Sequence, residues 1–337
     1  MSNLEKNKNY QELLLQIGET YTHSKSNAIR TVNKEILYTY WKIGQYIVEF
    51  EQAGKIKAEY GKQLLIQLAK DLKVKFGKGF SRSNLYLMRQ FFLSYQKIQT
   101  VSGELSWSHY SELLSISDEL ERKFYEKQIL IENWSVREFK RQKKTALFHR
   151  LALSKDKEGI LELSKKGHQV KVPDDLNKDP YIFEFLGLSE KVLFSESDLE
   201  KLLIDKLQEF LLELGKGFAF IARQYRITLN NKHYRVDLVF YHYILKCFVL
   251  IDLKIDKLQH HDIGQMNMYI NYFKTEESGT SDNEPIGIIL TTDKDEILVE
   301  YAMGGISNQL FVSKYQTYLP DRALLEDEVR KILENKN

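Results

Sequence analysis

Two apolar stretches decide the fold of the second half of the chain: Tyr234-Arg-Val-Asp-Leu-Val-Phe-Tyr241 and Phe248-Val-Leu-Ile-Asp-Leu-Lys254. Both are rich in β-branched and aromatic residues, which is typical of strands. Each also carries a carboxylate, which a buried strand normally avoids because an unpaired charge in an apolar interior is costly. Asp252 and Lys254 are two residues apart on the second strand and therefore point to the same face.

A hairpin through residues 242–246 would pair these strands and bring Asp237 near Asp252. Two carboxylates at such range repel unless a cation lies between them, and hard oxygen ligands of this kind favour Mg²⁺ or Mn²⁺. Such a metal polarises a phosphoryl oxygen and acidifies a bound water, while Lys254 steadies negative charge. The pattern therefore indicates phosphodiester hydrolysis. Taken alone, Asp-x-Lys also describes an exposed ion pair at a strand end.

The sequence around these strands predicts helices and further strands in alternation. The predicted elements are a helix over Ser197–Leu214, strands at Phe218–Leu229, Tyr234–Tyr241 and Cys247–Leu253, a helix near His261–Tyr272, and a strand at Pro285–Thr291. Strands that combine hairpin neighbours with a helical crossover predict a mixed sheet with helices on its faces. The pair His260-His261 is predicted in a solvated loop, with a metal site as the less favoured alternative and a phosphate contact as a further one.

The first half of the chain predicts helices alone. Apolar residues recur at helical spacing from about Tyr10 to Leu153, and no proline occurs before Pro173. The predicted breaks are Ala53-Gly54, Gly77-Lys78-Gly79 and Ser102-Gly103. We therefore predict an all-α domain followed by an α+β or α/β domain. The predicted boundaries are 1–155 for the helical domain, 156–180 for a linker and 181–337 for the mixed-sheet domain.

Length and composition bound the class of protein. A chain of 337 residues is longer than one hydrophobic core usually supports, which predicts two domains. A content of 43% hydrophobic and 28% charged residues is ordinary for a soluble protein. The net charge is only +2, so any electrostatic argument for nucleic acid must be local. Without a signal core or a span of ~20 apolar residues, a cytoplasmic protein away from membranes is expected. Cys247 is the single cysteine, which excludes disulfides within the chain and a cysteine-based zinc site, and its position in an apolar run predicts a buried thiol.

The order of these elements resembles the PD-(D/E)XK nuclease superfamily: an acidic helix, a strand with Asp, a strand ending in Asp-x-Lys, and a helix. The segment Gly264-Gln265-Met-Asn-Met-Tyr269 resembles the Gln-x-x-x-Tyr motif of its RecB-like branch, and Gln265 and Tyr269 share a helix face. Further segments resemble the YhcG-like family of two-domain nucleases over nearly the whole chain. They are Ile251-Asp-Leu-Lys254, Asp262-Ile-Gly-Gln-Met266, Tyr269-Ile-Asn-Tyr272 and Phe185-Leu-Gly-Leu188.

The resemblance implies a set of catalytic residues and a cofactor. The implied catalytic residues are Asp237, Asp252, Lys254, Glu200, Gln265 and Tyr269. Asp237, Asp252 and Glu200 would hold Mg²⁺ or Mn²⁺, while Gln265 and Tyr269 would support the site or contact DNA. The chain has Asp rather than Glu before x-Lys, and Val236 stands where the family pattern has Pro.

The upstream acidic residue is chosen by its helical position. Glu200 shares a helix face with Leu203, Ile204, Leu207 and Leu211, so an inward carboxylate there needs a partner. Glu209 and Glu213 are the alternatives.

The N-terminal half contains the pattern of a helix-turn-helix. A helix through Leu68–Leu72, a glycine-rich turn and an N-cap at Ser81 precede Arg82, Asn84 and Arg89, which are expected on the outer surface. The turn exceeds the usual ~3–4 residues, which favours a winged or divergent form. A second basic run follows Trp134 and could equally be a solvated helix face. The predicted DNA-binding residues are Lys78, Arg82, Asn84, Arg89, Arg137, Lys140, Arg141 and Lys144.

These patterns predict a metal-dependent DNA endonuclease. The family resemblance implies a role in defence against foreign DNA or in the processing of mobile or recombining DNA, and the residues do not choose between these roles. Two alternatives stay open: a DNA-binding or assembly protein that has lost turnover, and a nuclease acting on RNA or branched DNA. A homodimer is expected from geometry, because two active sites cut both strands of a duplex most simply.

Overall fold

The computed structural model describes residues 8–53, 58–97, 101–188, 194–293, 299 and 309–334. The chain divides into two compact units, Met1–Arg122 and Lys123–Asn337. This division falls earlier than the boundary at 156–180 expected from the sequence. The expected linker contains a helix, Lys157–Lys166, in which Ile160 and Leu163 are buried.

In the described residues of the first unit, all of the regular secondary structure is helical. Its helices are α1 (Lys8–Ala53), α2 (Ala58–Phe76), α3 (Arg82–Ser94) and α4 (Trp107–Leu113). Ser81 caps α3 as predicted, because its side chain accepts a hydrogen bond from the Asn84 backbone at 3.1 Å. Helices α1 and α3 approach closely at Gly44, where an added Cβ would collide with the Met88 carbonyl oxygen. No strand occurs in the described part of this unit, so a β-wing is not found there.

The second unit combines helices with a mixed sheet, which confirms the predicted fold class. Its helices are α5 (Glu119–Glu132, which begins in the first unit), α6 (Val136–Lys144), α7 (Leu147–Leu153), α8 (Lys157–Lys166), α9 (Glu196–Asp205), α10 (Leu207–Leu214), α11 (His260–Tyr272) and α12 (Arg322–Glu334). Its strands are β1 (Tyr181–Ile182), β2 (Phe218–Leu229), β3 (Lys232–His242), β4 (Cys247–Lys257), β5 (Ile286–Asp293) and β6 (Leu310–Gln316). Within the described residues, the sheet order is β1-β6-β5-β4-β3-β2.

Helices cover both faces of this sheet. Leu199 and Phe210, from α9 and α10, pack on one face against a cluster that includes Ile251. Met266 and Ile270 of α11 pack on the other face. Burial on both sides explains why β4 and β5 are nearly continuous apolar runs.

The central strands separate from one another at one point. Strands β3 and β4 pair antiparallel from His242↔Cys247 to Leu238↔Ile251, which confirms the predicted hairpin. Beyond that pair, β4 continues along the parallel strand β5, while β3 continues paired with β2. We call this divergence the fork. The two-stranded part of β2 and β3 beyond it, residues 225–236, is called the ribbon.

Several predicted elements differ from the observed ones. The single helix expected over 197–214 is interrupted at Lys206, where φ is −114° and α9 ends. His260 and His261 form the exposed first turn of α11 rather than a loop. Strands β1 and β6 were not predicted. Cys247 is buried, as predicted. Among the described residues, no helix is both long and apolar enough to span a membrane.

Candidate active site at the strand fork

The fork brings the two strand carboxylates together. Asp237 is the residue of β3 just beyond the last pair, and its Oδ2 accepts a hydrogen bond from the Leu253 backbone N–H at 2.8 Å. Asp252 is 3% exposed, and its Oδ2 lies 2.8 Å from Lys254 Nζ. The same Nζ lies 3.7 Å from Glu196 Oε2. A carboxylate pair and an ammonium group therefore face the gap between the diverging strands.

Helix α9 adds a third carboxylate through a bridging amide. Glu200 is 2% exposed, and its Oε2 accepts a hydrogen bond from Gln224 Nε2 at 2.5 Å. The same nitrogen donates to Asp237 Oδ1 at 2.9 Å. Arg223 Nε donates to the other oxygen of Glu200. Gln224 thus links Glu200 to Asp237.

Glu213, one of the alternatives to Glu200, belongs to a different cluster. Its carboxylate is fully buried and contacts Arg150 Nη1 at 2.8 Å and Arg141 Nη2 at 3.2 Å. The Ile182 backbone N–H also donates to it, at 3.0 Å. Its two oxygens are therefore engaged in holding α6 and α7 to β1.

Gln224 was missed by the sequence reasoning. It has φ of +51°, the left-handed region that non-glycine residues rarely adopt, in the middle of β2. Such strain persists only where surrounding contacts fix it, and it is concentrated at functional sites. The sequence signal is the polar pair Arg223-Gln224, which directly follows the apolar first half of the strand.

The charges at the fork leave the carboxylates short of positive charge. Burial, followed by the neighbouring charge of Asp252, raises the pKa of Asp237 to about 7, although the hydrogen bond from Leu253 and the charge of Lys254 act in the opposite direction. Burial alone would lower the pKa of Lys254, but Asp252 raises it above its usual value, so the ammonium stays charged. The negative charges of these carboxylates are only partly balanced by the neighbouring cations. Carboxylate oxygens of this kind are the ligands that Mg²⁺ and Mn²⁺ prefer. The residues present therefore fit a divalent metal.

Gln265 and Tyr269 lie behind the site on α11. Gln265 Nε2 donates to the Tyr269 hydroxyl, which donates in turn to the Arg235 carbonyl oxygen at 2.9 Å. Tyr269 is fully buried. The pair fixes the backbone of β3 two residues before Asp237.

The residues predicted to bind DNA fall into three groups. Exposed ones are Lys78, Arg82, Arg137, Lys140 and Lys144. Asn84 and Arg89 make internal contacts: Asn84 accepts from Trp107 Nε1 at 2.8 Å, and Arg89 Nε lies 2.7 Å from Glu51 Oε2. The prediction for Arg141 is corrected. Its side chain is 14% exposed and bonded to Glu184 and Glu213, so its guanidinium is not available to phosphate.

A mixed sheet that carries Asp-x-Lys at a strand end, followed by a crossover helix, defines a nuclease of the PD-(D/E)XK class. The model of the YhcG PDDEXK nuclease domain matches residues 174–330, and that of the DUF1016 N-terminal domain matches residues 16–150. The chain is 38% identical to the Escherichia coli (strain K12) protein named "Putative nuclease YhcG", over 95% of this chain and 93% of that protein. The chain therefore belongs to the YhcG family of nucleases.

Two solved structures are also similar to part of the chain. A repair endonuclease from Pyrococcus abyssi is 20% identical with a TM-score of 0.27, over 39% of this chain and 50% of that one. EndoMS in its apo form is 13% identical with a TM-score of 0.25, over 39% of this chain and 49% of that one.

Proposed function

We propose that the chain is a DNA endonuclease that uses Mg²⁺ or Mn²⁺ held by Asp237, Asp252 and Glu200. PD-(D/E)XK nucleases use divalent metals, and the three carboxylates gathered beside Lys254 at the fork, two of them buried, are the observation that carries the proposal. A bound divalent ion supplies Lewis acidity and an acidified water.

The chain's own residues prepare the site for this chemistry. Lys254 remains protonated beside Asp252 and is positioned to neutralise charge on the scissile phosphate. The Leu253 backbone N–H orients Asp237, and Gln224 orients Asp237 and Glu200 together. These contacts hold the oxygens in place before substrate arrives, which lowers the cost of organising the site.

We further propose that α2, the turn after it and α3 act as a divergent helix-turn-helix. Lys78 and Arg82 are exposed at its turn and at the start of α3. Exposed Arg137, Lys140 and Lys144 on α6 would add phosphate contacts from the second unit. Asn84 and Arg89 would reach bases only by giving up their internal contacts.

A homodimer formed through α1 is also proposed. An apolar stripe follows one face of this helix, and at 100° per residue it lies opposite the buried Leu37, Trp41 and Val48. The stripe consists of Tyr10, Leu14, Ile17, Tyr21, Ala28 and Val32, all exposed. Apolar residues repeated in this way along a solvent-facing helix are typical of a helix–helix interface. A monomer mass by light scattering, both with and without DNA, would refute the dimer.

The decisive test is cleavage of labelled duplex, single-stranded, branched and RNA substrates with Mg²⁺, Mn²⁺ or EDTA, beside Asp252→Ala. Metal-dependent cleavage of DNA that the variant lacks supports the proposal, whether its biological role is defence or the processing of mobile DNA. Preference for RNA or branched DNA would replace the substrate. Binding without cleavage under every metal would favour the non-catalytic DNA-binding alternative. A cytoplasmic location stays a prediction from the sequence.

A further inference from the structure

The ribbon beyond the fork has two unlike faces. On one face, Tyr225, Ile227, Tyr234 and Val236 pack into the apolar cluster that contains α11. Adjacent residues of a strand point to opposite faces, so the residues between them point the other way. The register Arg226↔Arg235 and Thr228↔His233 places these four side chains together on that second face.

The second face carries two arginines directly opposite each other. Like charges in this arrangement destabilise a strand pair. Arg226 Nη2 donates to His233 Nε2 at 2.7 Å, and Thr228 Oγ1 lies 3.0 Å from His233 Nδ1. Within the described residues, neither arginine has a carboxylate partner, and both side chains are exposed. The face therefore concentrates positive charge that no carboxylate of the described residues neutralises.

This charged face leads to the candidate active site. Arg235 precedes Asp237 by two residues on β3, which is about 7 Å along a strand and on the same side. The Arg235 carbonyl is fixed by the Tyr269 hydroxyl at 2.9 Å, so its backbone is held by α11. The arginine pair is thus held at a set distance from the carboxylates.

We propose that Arg226, Thr228, His233 and Arg235 form a track for the phosphodiester backbone of the nucleic acid cut at the fork. The inference rests on the proposed function and names the surface that guides its substrate. Two neighbouring guanidinium groups carry the positive charge that complements phosphate. Each also presents paired N–H donors that can bind two phosphate oxygens at once. Thr228 and His233 extend the track away from the carboxylates and offer further hydrogen bonds to the same backbone. The contacts are to phosphate, so the track carries no sequence information.

The test measures binding without cleavage. Fluorescence anisotropy in EDTA follows labelled duplex DNA, single-stranded DNA and RNA across a range of salt concentrations. The affinity for duplex DNA falls as salt rises. Arg226→Ala and Arg235→Ala should each make the slope of log affinity against log salt shallower by about 0.9, and the double variant by about 1.8. The matched control is Lys232→Ala, which removes the same charge from the same ribbon on its apolar face.

Each outcome decides between the two proposals. An unchanged slope in the double variant, or an equal loss in Lys232→Ala, overturns the track even if the wild type cleaves DNA. A wild type that neither binds nor cleaves any nucleic acid overturns the track and the proposed function together. Slopes that fall only with RNA assign the same track to an RNA backbone. Arg226→Gln and Arg235→Gln, which keep most of the side chain, serve if an alanine variant unfolds.

Discussion

Gln224 combines a left-handed backbone with hydrogen bonds to two carboxylates. One nitrogen serves both Glu200 and Asp237, so the amide holds their oxygens at a fixed spacing. Each carboxylate oxygen keeps a second lone pair that a metal can use. Groups that orient ligands in this way affect the metal although they never touch it.

Gln224→Ala should weaken metal binding by about 10–100-fold, because the ligands lose the partner that orients them. The measurement is a calorimetric titration of Mn²⁺ into the whole protein, which needs no substrate. Gln224→Asn keeps an amide and tolerates a left-handed φ, and serves as the comparison. Equal or tighter Mn²⁺ binding in the alanine variant would show that the amide competes with the metal.

The raised pKa of Asp237, about 7, makes the stability of the metal-free protein depend on pH. A carboxyl group whose pKa is higher in the folded state stabilises the fold while it is protonated. That contribution is present at low pH and is lost as pH rises through about 7. The metal-free protein should therefore be less stable at pH 8 than at pH 5, and a bound metal should restore the stability that is lost at pH 8.

Asp237→Asn should remove this dependence. In EDTA, the variant should melt a few degrees above the wild type at pH 8, and the two should converge towards pH 5. Thermal melting followed by circular dichroism measures both. A constant difference between the two proteins from pH 5 to pH 8 would contradict the assigned titration.

At the scale of elements, helix α1 contains two glycines in opposite settings. Gly44 lies against the Met88 carbonyl of α3, whereas nothing lies within 4 Å of a Cβ added at Gly18. Gly44→Ala should destabilise the first unit by about 1–3 kcal/mol, because α1 and α3 must move apart. Gly18→Ala should instead stabilise it by about 0.5–1 kcal/mol through helix propensity. Urea denaturation of both variants measures the difference, and a Gly44→Ala variant as stable as the wild type would refute the close approach.

The hairpin of β3 and β4 could be predicted because its signals are local. The apolar runs rich in β-branched and aromatic residues, the turn at 242–246 and the carboxylates Asp237 and Asp252 all lie within one short stretch of sequence. The helix after them was predicted for the same reason. The break at Lys206 was not, since apolar periodicity continues across it from α9 to α10.

Long-range partners could not be predicted. Arg141 lies on a helix whose basic residues are typical of a DNA-binding surface. Its charge is neutralised by Glu184, which is 43 residues away in the sequence and so lies outside any local pattern. The role of Gln224 depends on a backbone angle that no propensity favours. Strand β1 has only two residues and carries no periodic pattern.

At the scale of the whole molecule, the second unit includes residues that precede the match to the nuclease domain. Arg150 and Arg141 lie before residue 174, yet both contact the fully buried Glu213. Removing one partner of a buried ion pair costs about 3–5 kcal/mol. The unit that folds is therefore longer than the unit that the nuclease-domain model matches.

A fragment beginning at Lys123 should fold cooperatively, and one beginning at Asp174 should not. The second fragment leaves Glu213 without its two arginines. Circular dichroism melting and limited proteolysis compare the fragments, and Arg150→Met in the full chain tests the ion pair alone. A cooperative transition in the shorter fragment would show that the cluster is dispensable.

The ribbon ends in a two-residue tip, Asn230-Asn231, with φ of +48° and +60°, as a tight hairpin turn requires. Strands β3 and β4 stop pairing at Leu238, so residues can be added or lost in pairs at the tip without shifting Asp237. Evolution can thus lengthen, shorten or recharge the ribbon while the carboxylates are inherited in place. Descendants of one ancestral nuclease can therefore diverge in the nucleic acid that they bind while they keep the same catalytic residues.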